Sequence, residues 1–267
     1  MVNEIRQLLG ETAVVGSEIL HFAELDSTNT YLKREALCGA ADGTVVIADF
    51  QTAGRGRMER RFQSPAGKGI YLSALLRPEV PAERLPCVTA LTGVAVCDAV
   101  ERVCGVRPGL KWPNDPVLGN RKVCGILTEM VVDAQGRPNV ILGIGVNVSQ
   151  TAEDFTPEVA EIATSLLMET GKPVSRAALI AALVKEVDSL YAALTHGDLT
   201  AYLRAYRRDC VNLGKTVQLI ASDGSRETAI AADVDEFFGL VVRTGDGAEK
   251  TVRSGEVSVR GLYGYVE

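Results

Sequence analysis

The sequence predicts an α+β protein: a mixed β-sheet flanked by helices, followed by a small antiparallel β-barrel. Three observations carry this expectation. Between residues 25 and 209, apolar β-branched runs of strand length are interspersed with longer stretches of helical spacing. Two such runs, 123–132 and 139–148, are separated by the turn Asp133-Ala134-Gln135-Gly136 and read as a hairpin. After Cys210 the helical spacing stops, and short apolar runs follow at 217–220, 229–234, 240–242 and 257–259, with turns at Ser222-Asp223-Gly224 and Gly245-Asp246-Gly247. The expected division is 1–209 for the larger domain and 210–267 for the barrel.

The elements follow in order. Asp26-Ser27-Thr28-Asn29 forms an N-cap cluster ahead of Tyr31, Leu32, Ala36 and Leu37, so a helix starts there. Residues 44–49 (TVVIAD) read as a buried strand after the turn Asp42-Gly43, and residues 51–69 as a long Gly- and Arg-rich loop. A strand over 70–76 ends at Arg77-Pro78. A helix over 85–103, with Leu91, Val94, Ala95, Ala99 and Val103 at helical spacing, ends at Gly105. Leu110-Lys111-Trp112 reads as a strand end and Pro113-Asn114-Asp115-Pro116 as a turn. Ser175 caps a long amphipathic helix through Leu179, Leu183, Val187, Leu190 and Leu194, and a second helix covers 199–208.

Composition narrows the chemistry. The chain has 267 residues, 46% of them hydrophobic, enough for a sizeable core. Its net charge of -6 argues against wholesale affinity for nucleic acid or membranes and makes any positive site a local exception. The N-terminal residues lack a basic segment followed by an apolar core, and no stretch stays apolar for the roughly 18 residues a membrane span needs, so a cytoplasmic protein is expected. Cys38, Cys87, Cys97, Cys104, Cys124 and Cys210 then read as small buried apolar residues in a reducing compartment, and without a CxxC pair zinc is not expected. With only His21 and His196 present, the chemistry must rest on Arg, Lys, Asp and backbone groups.

The outstanding feature is Gln51-Thr-Ala-Gly-Arg-Gly-Arg57, extended by Arg60 and Arg61. Gly54 and Gly56 let the backbone approach a ligand while Arg55 and Arg57 reach its oxygens, which suits a carboxylate or a phosphate. Taken alone, such a loop is more often a solvated surface segment or a nucleic-acid contact. Its position after a buried strand, where α/β proteins place ligand-binding segments, favours a site. So does the downstream Lys111-Trp112-Pro113-Asn114-Asp115, which holds a cation, an amide and a carboxylate, although Pro-Asn-Asp is also ordinary turn chemistry. Lys122 stands just before a strand whose Gly125 permits close approach. Gly143-Ile144-Gly145-Val146-Asn147 lies inside a strand, so it fails as a dinucleotide fingerprint; its glycines would let a bulky ligand lie against the strand, with Asn147 in hydrogen-bonding reach.

In order and spacing these segments resemble the biotin protein ligase family (biotin–[acetyl-CoA-carboxylase] ligases), strongly over residues 24–148 and loosely over the barrel. Asp26-Ser27-Thr28-Asn29, the 51–57 run, Ser64-Pro65, Tyr71-Leu72-Ser73, 111–115, Arg121-Lys122 with Gly125-Ile126-Leu127, and 143–147 carry the resemblance. It implies a catalytic domain of the class II aminoacyl-tRNA synthetase and biotin ligase type with an SH3-like C-terminal barrel. It also implies that ATP activates biotin to biotinyl-5'-AMP, which then biotinylates a lysine of a biotin carboxyl carrier protein of acetyl-CoA carboxylase or a related carboxylase.

On the same resemblance, Ser27, Thr28 and Gln51 would bind the ureido head of biotin, whose two donors and one acceptor suit hydroxyls and amides, with Asn29 also in the biotin site. Gly54, Arg55, Gly56, Arg57, Lys122 and Gly125 would complete the biotin site. Arg57, Arg60, Lys111, Asn114, Asp115, Lys122 and Asn147 would serve ATP, with Lys111, Lys122 and Arg57 catalytic and Asp115 a ligand of Mg2+. The sequence departs from many members at Glu59, in place of glycine, and at Phe62, in place of tryptophan. Too few residues precede Asp26 for the winged helix of the regulatory members, so DNA binding is not expected; dimers occur in the family, and no motif here decides the oligomeric state. A lipoate ligase or octanoyl transferase, and a non-catalytic biotin or adenylate sensor, are the rival readings. The polar Ser27, Thr28 and Gln51 speak against the first, and the full set of cations against the second.

Overall fold

The structure, a computed structural model, describes residues 1–56, 61–221, 223–253, 257–261 and 265–266, with the backbone alone at 257 and 258. In chain order the elements are α1 (Val2–Leu9), β1 (Ile19–Leu25), α2 (Thr28–Leu37), β2 (Val45–Gln51), β3 (Gly69–Leu76) and α3 (Cys87–Cys104). Three short strands follow, β4 (Gly109–Lys111), β5 (Asp115–Leu118) and β6 (Arg121–Lys122), then the hairpin β7 (Cys124–Val132) and β8 (Pro138–Asn147). Helices α4 (Pro157–Ala160), α5 (Leu166–Thr170), α6 (Arg176–His196) and α7 (Thr200–Asp209) lead to β9 (Thr216–Ala221), β10 (Arg226–Val234), β11 (Leu240–Thr244), β12 (Glu249–Val252) and β13 (Val257–Gly261).

The main sheet has the order β1-β2-β3-β8-β7; β1 and β2 run parallel and the other neighbours antiparallel, so the sheet is mixed, as the sequence predicts. Strand alternation divides its two faces sharply. On one face Ile70, Leu72, Ala74 and Leu76 of β3 and Val140, Leu142, Ile144 and Val146 of β8 join α3 and α6 in the main core. On the other face Leu75, Ile141 and Val46 meet Leu32 and Ala36 of α2 in a small second cluster. Helix α2 therefore covers only one end of that face, and the part holding Tyr71, Ser73, Gly143, Gly145 and Gly125 is left for the site.

The helices end where their caps dictate. Ser27 accepts from the Thr30 N–H at the start of α2, Ser175 from the Ala178 N–H at the start of α6, and the left-handed Gly105 closes α3. Leu37, placed by its spacing on the apolar face of α2, is instead exposed, because the helix runs past the sheet it covers. The turn read at 113–116 is narrower: residues 112–114 turn, and Asp115 begins β5 as the cross-strand partner of Lys111. All six cysteines are free; Cys87, Cys97, Cys124 and Cys210 are buried as expected, but Cys38 is exposed, standing at the C-terminal end of α2.

The C-terminal strands form a five-stranded antiparallel sheet in the order β12-β11-β10-β9-β13, with a bulge between Ala231 and Asp233. Among the described residues no pairing of β12 with β13 closes it, so the expected barrel is seen as an open, five-stranded sheet. Trp112, in the turn between β4 and β5, ties the larger domain to this part of the chain. Its N–H donates to Asn212 Oδ1 at 2.7 Å, and its buried indole donates to the Phe238 carbonyl at 3.0 Å. No helix among the described residues is long and apolar enough to cross a membrane.

The segment between α1 and β1 has no regular structure, and its placement depends on one carboxylate. Asp188 of α6, only 8% exposed, accepts from the backbone N–H groups of Ala13, Val14 and Val15 at 2.8, 2.9 and 2.8 Å. Removing it strands three donors against the core. Asp188→Ala is expected to lower unfolding stability by about 3 kcal/mol, read from the urea midpoint at unchanged m-value.

Candidate active site

The floor of the site is a stretch of sheet without side chains. Gly125 of β7 is the cross-strand partner of Gly145 of β8, and Gly143 lies two residues further along the same face. A cavity of about 300 Å³ stands over them, in the size range of small-molecule sites. A Cβ on Gly143 would sit 2.3 Å from Asn29 Oδ1, one on Gly145 2.6 Å from the Phe62 ring, and one on Gly125 3.0 Å from the same ring. All three glycines border the cavity. The structure puts the Asn29 amide and the Phe62 ring there, and both in turn line the cavity. Phe62 also meets Tyr71 edge-on, with ring centroids 6.3 Å apart.

At one end of the cavity the helix start and the strand ends bring together a buried polar network. The Thr28 N–H and hydroxyl donate to Gln51 Oε1 at 2.9 and 3.2 Å, and the Gln51 amide nitrogen donates to Ser64 Oγ at 2.9 Å. The Ser73 hydroxyl lies 2.7 Å from Thr28 Oγ1 and 2.6 Å from Asn29 Oδ1. Ser27, Thr28, Asn29 and Gln51 are all buried and all border the cavity, so the three residues expected at a ureido head and Asn29 are neighbours. Ser73, on the central strand, is an addition that a lone serine in an apolar run did not signal.

Arg55 takes a place the sequence did not foresee. Its guanidinium lies 3.2 Å from Glu129 of β7, which also pairs with Lys33 and accepts at 3.0 Å from the Asn29 amide. Burial pushes the Glu129 carboxyl up, but the hydrogen bonds of Lys33 and Asn29 and the charges of Lys33 and Arg55 outweigh it and hold the group below its ordinary value. The loop is gathered at its base by the pairing of Arg55 with Arg61, by the Phe62 N–H donating to the Gly54 carbonyl, and by Arg61 donating to the Thr52 carbonyl. Gly54 does not border the cavity; a Cβ there would fall 2.4 Å from the Phe62 carbonyl, so its smallness serves the loop's own packing. Arg57, Glu59 and Arg60 lie outside the described residues.

The opposite end is cationic. Lys111 and Asp115, a cross-strand pair of the β4–β5 hairpin, face the cavity with Lys122 of β6. Lys122 Nζ is 2.5 Å from Asp115 Oδ1, and the Tyr265 hydroxyl donates to Oδ2. Burial pushes the Asp115 carboxyl up, but the Lys122 and Lys111 charges and the hydrogen bonds from Lys122 and Tyr265 prevail, so it stays below the ordinary aspartate value. Asn114 is buried and donates to the Ile126 carbonyl at 2.8 Å, holding the turn against β7.

A wall unread in the sequence closes the side. Phe155, Val159, Ile162 and Ala163 border the cavity, and the segment is stitched to β6 by Lys122 N–H donating to the Ile162 carbonyl and Thr164 N–H to the Lys122 carbonyl. Asn147 spends its amide on this wall, donating to the Thr164 carbonyl at 2.9 Å and accepting from Gln150 at 3.2 Å, so it borders the cavity chiefly as a brace.

Residues 22–147 match the biotin/lipoate A/B protein ligase family, and residues 213–260 match the biotin protein ligase C-terminal domain. The bifunctional ligase/repressor BirA of Bacillus subtilis is 34% identical over 241 residues, covering 90% of this chain and 74% of that protein. The biotin–[acetyl-CoA-carboxylase] ligase of Mycobacterium tuberculosis is likewise 34% identical over 241 residues, covering 88% of this chain and 86% of that protein. Among solved structures, the biotin protein ligase from Aquifex aeolicus in complex with biotin and ATP is similar at a TM-score of 0.79 and 30% identity, over 92% of this chain and 99% of that one. Fold, sequence and site composition therefore agree: the chain belongs to the biotin protein ligase family.

Proposed function

We infer that this cavity joins biotin to AMP and delivers it to a lysine of a biotin carboxyl carrier protein. The carrying observation is a single cavity with a buried hydroxyl-and-amide network at one end and two lysines flanking one carboxylate at the other. The network of Thr28, Asn29 and Gln51, with Ser27 beside it on the cavity, offers donors and acceptors to a urea, which the apolar head of lipoate could not use. The match of residues 213–260 to a domain named for biotin ligases favours biotin again.

The first step makes a bond between a biotin carboxylate oxygen and the α-phosphorus of ATP and breaks the bond to the bridging oxygen, releasing pyrophosphate. Both reactants are anionic, so Lys122 and Lys111 screen their repulsion and align them. Arg57 and Arg60 are proposed to add phosphate contacts from the loop. Asp115, the sole carboxylate among the described cavity residues, fits the one or two carboxylates that a phosphate-bound magnesium ion accepts. In the second step the carrier lysine amine attacks the acyl carbon of the mixed anhydride and AMP leaves. We place the boundary between the catalytic domain and the smaller one at residues 209 and 210, where α7 ends.

Biotin-dependent exchange of pyrophosphate into ATP is the expected activity; lipoate-dependent exchange would support the lipoate reading, and biotin binding without exchange a sensor. Lys122→Ala is expected to slow biotin-dependent exchange by about 100-fold, the usual loss when one charge-stabilising group is removed. Gly143→Ala tests the floor. Its methyl group would displace Asn29, so kcat/KM for biotin should fall by about 100-fold, as for a misplacement near 1 Å, while the melting temperature reports whether the strand still pairs.

A further inference from the structure

Tyr265 lies beyond β13, at the far end of the sequence from the motifs that mark the site, yet it borders the cavity. Its hydroxyl donates to Asp115 Oδ2, and its ring lies under the Lys111 ammonium, 4.4 Å from nitrogen to centroid. One side chain thus touches both members of the Lys111–Asp115 cross-strand pair. Through Asp115 it reaches Lys122, 2.5 Å from the other carboxylate oxygen. The next residue, Val266, is 1% exposed, so the tyrosine is carried by an anchored backbone.

We propose that Tyr265 is a positioning residue of the adenylation site, through which the C-terminal part of the chain sets the two lysines that meet the ATP phosphates. The physical case has two parts. Lys111 is only 5% exposed, and the Tyr265 ring against its ammonium stabilises the charge and fixes where it stands beside the cavity. Asp115 is half-buried between Lys122 and Tyr265; the tyrosine hydroxyl occupies one oxygen, which leaves the other directed at Lys122. Without the hydroxyl, that oxygen would turn towards the lysines and draw them out of line. Lys122 also meets the biotin carboxylate in the proposed reaction, whereas Lys111 serves the phosphates alone, so the larger effect falls on ATP.

The inference rests on the ligase reading, and the test separates the two. Biotin-dependent pyrophosphate exchange is measured against ATP and against biotin for the intact chain, Tyr265→Phe and Tyr265→Leu, together with biotin transfer from supplied biotinyl-5'-AMP. Tyr265→Phe, which keeps the ring and loses the donor, is expected to raise KM for ATP about tenfold, and Tyr265→Leu further. KM for biotin should rise less than KM for ATP, and transfer from the supplied adenylate should stay within about twofold. An unchanged KM for ATP overturns the proposal. A lowered one does so too, because it would make the tyrosine a plug that ATP must displace. A parallel rise in both KM values with a lower melting temperature likewise overturns it, by showing a merely structural role. Tyr265→Phe decides if the leucine variant fails to fold, and absence of exchange in the unaltered chain would defeat the ligase reading itself.

Discussion

The pairing of Gly125 with Gly145 across the β7–β8 hairpin is the constraint on which the site depends. Side chains alternate across a strand, so every second residue of β8 must be large to fill the core while the intervening ones must be small. Val140, Leu142, Ile144 and Val146 meet the first demand and Gly143 and Gly145 the second. A register slip of one residue would turn Ile144 into the cavity and a glycine into the core. The ten-residue length of β8 and its continuous pairing with both β3 and β7 make such a slip expensive, and so the floor is held rigid.

Above that floor the charges are arranged in two groups, each with two cations around one carboxylate. Glu129 gathers Lys33 and Arg55 at the loop end, and Asp115 gathers Lys122 at the phosphate end, with Lys111 close by. Both carboxyls are held below their ordinary values, so each remains ionised wherever the lysines are charged. Unneutralised lysines packed together in a half-buried cavity would repel one another and shed protons. An acidic partner for each group lets an otherwise acidic chain hold several cations close together at one cavity.

What the sequence disclosed was local. Ser27 before an apolar spacing, the β-branched run at 44–49, the Asp133–Gly136 turn and Gly105 after a helix are each decided by a few neighbouring residues, and each element is where its residues place it. The ordered motifs likewise mark residues that do meet in one cavity. Partnerships across the chain were not legible. Glu129 is an unremarkable charge in a strand, Tyr265 a tyrosine beyond the last strand, and the segment 155–163 has no periodicity, yet all three border or brace the site. Asn147 borders the cavity, and its amide also donates to the Thr164 carbonyl, a partner that no local pattern marks.

The site divides its work between two kinds of backbone. The residues that must hold fixed distances, Gln51, Lys111, Asp115, Lys122 and the glycines, stand on strands or at their ends, where a paired backbone fixes direction. The covering groups, Phe62, Phe155, Ile162 and Tyr265, lie outside regular strands, on segments from three separate parts of the chain. A mixed anhydride hydrolyses in water, so an enzyme that forms one must both align the reactants and shield the product. Alignment asks for rigidity and shielding asks for a cover that admits a carrier lysine afterwards. A cavity with a sheet for its floor and irregular segments for its walls meets both demands at once, and the Tyr265 contacts bring one of those walls into direct touch with the aligned charges.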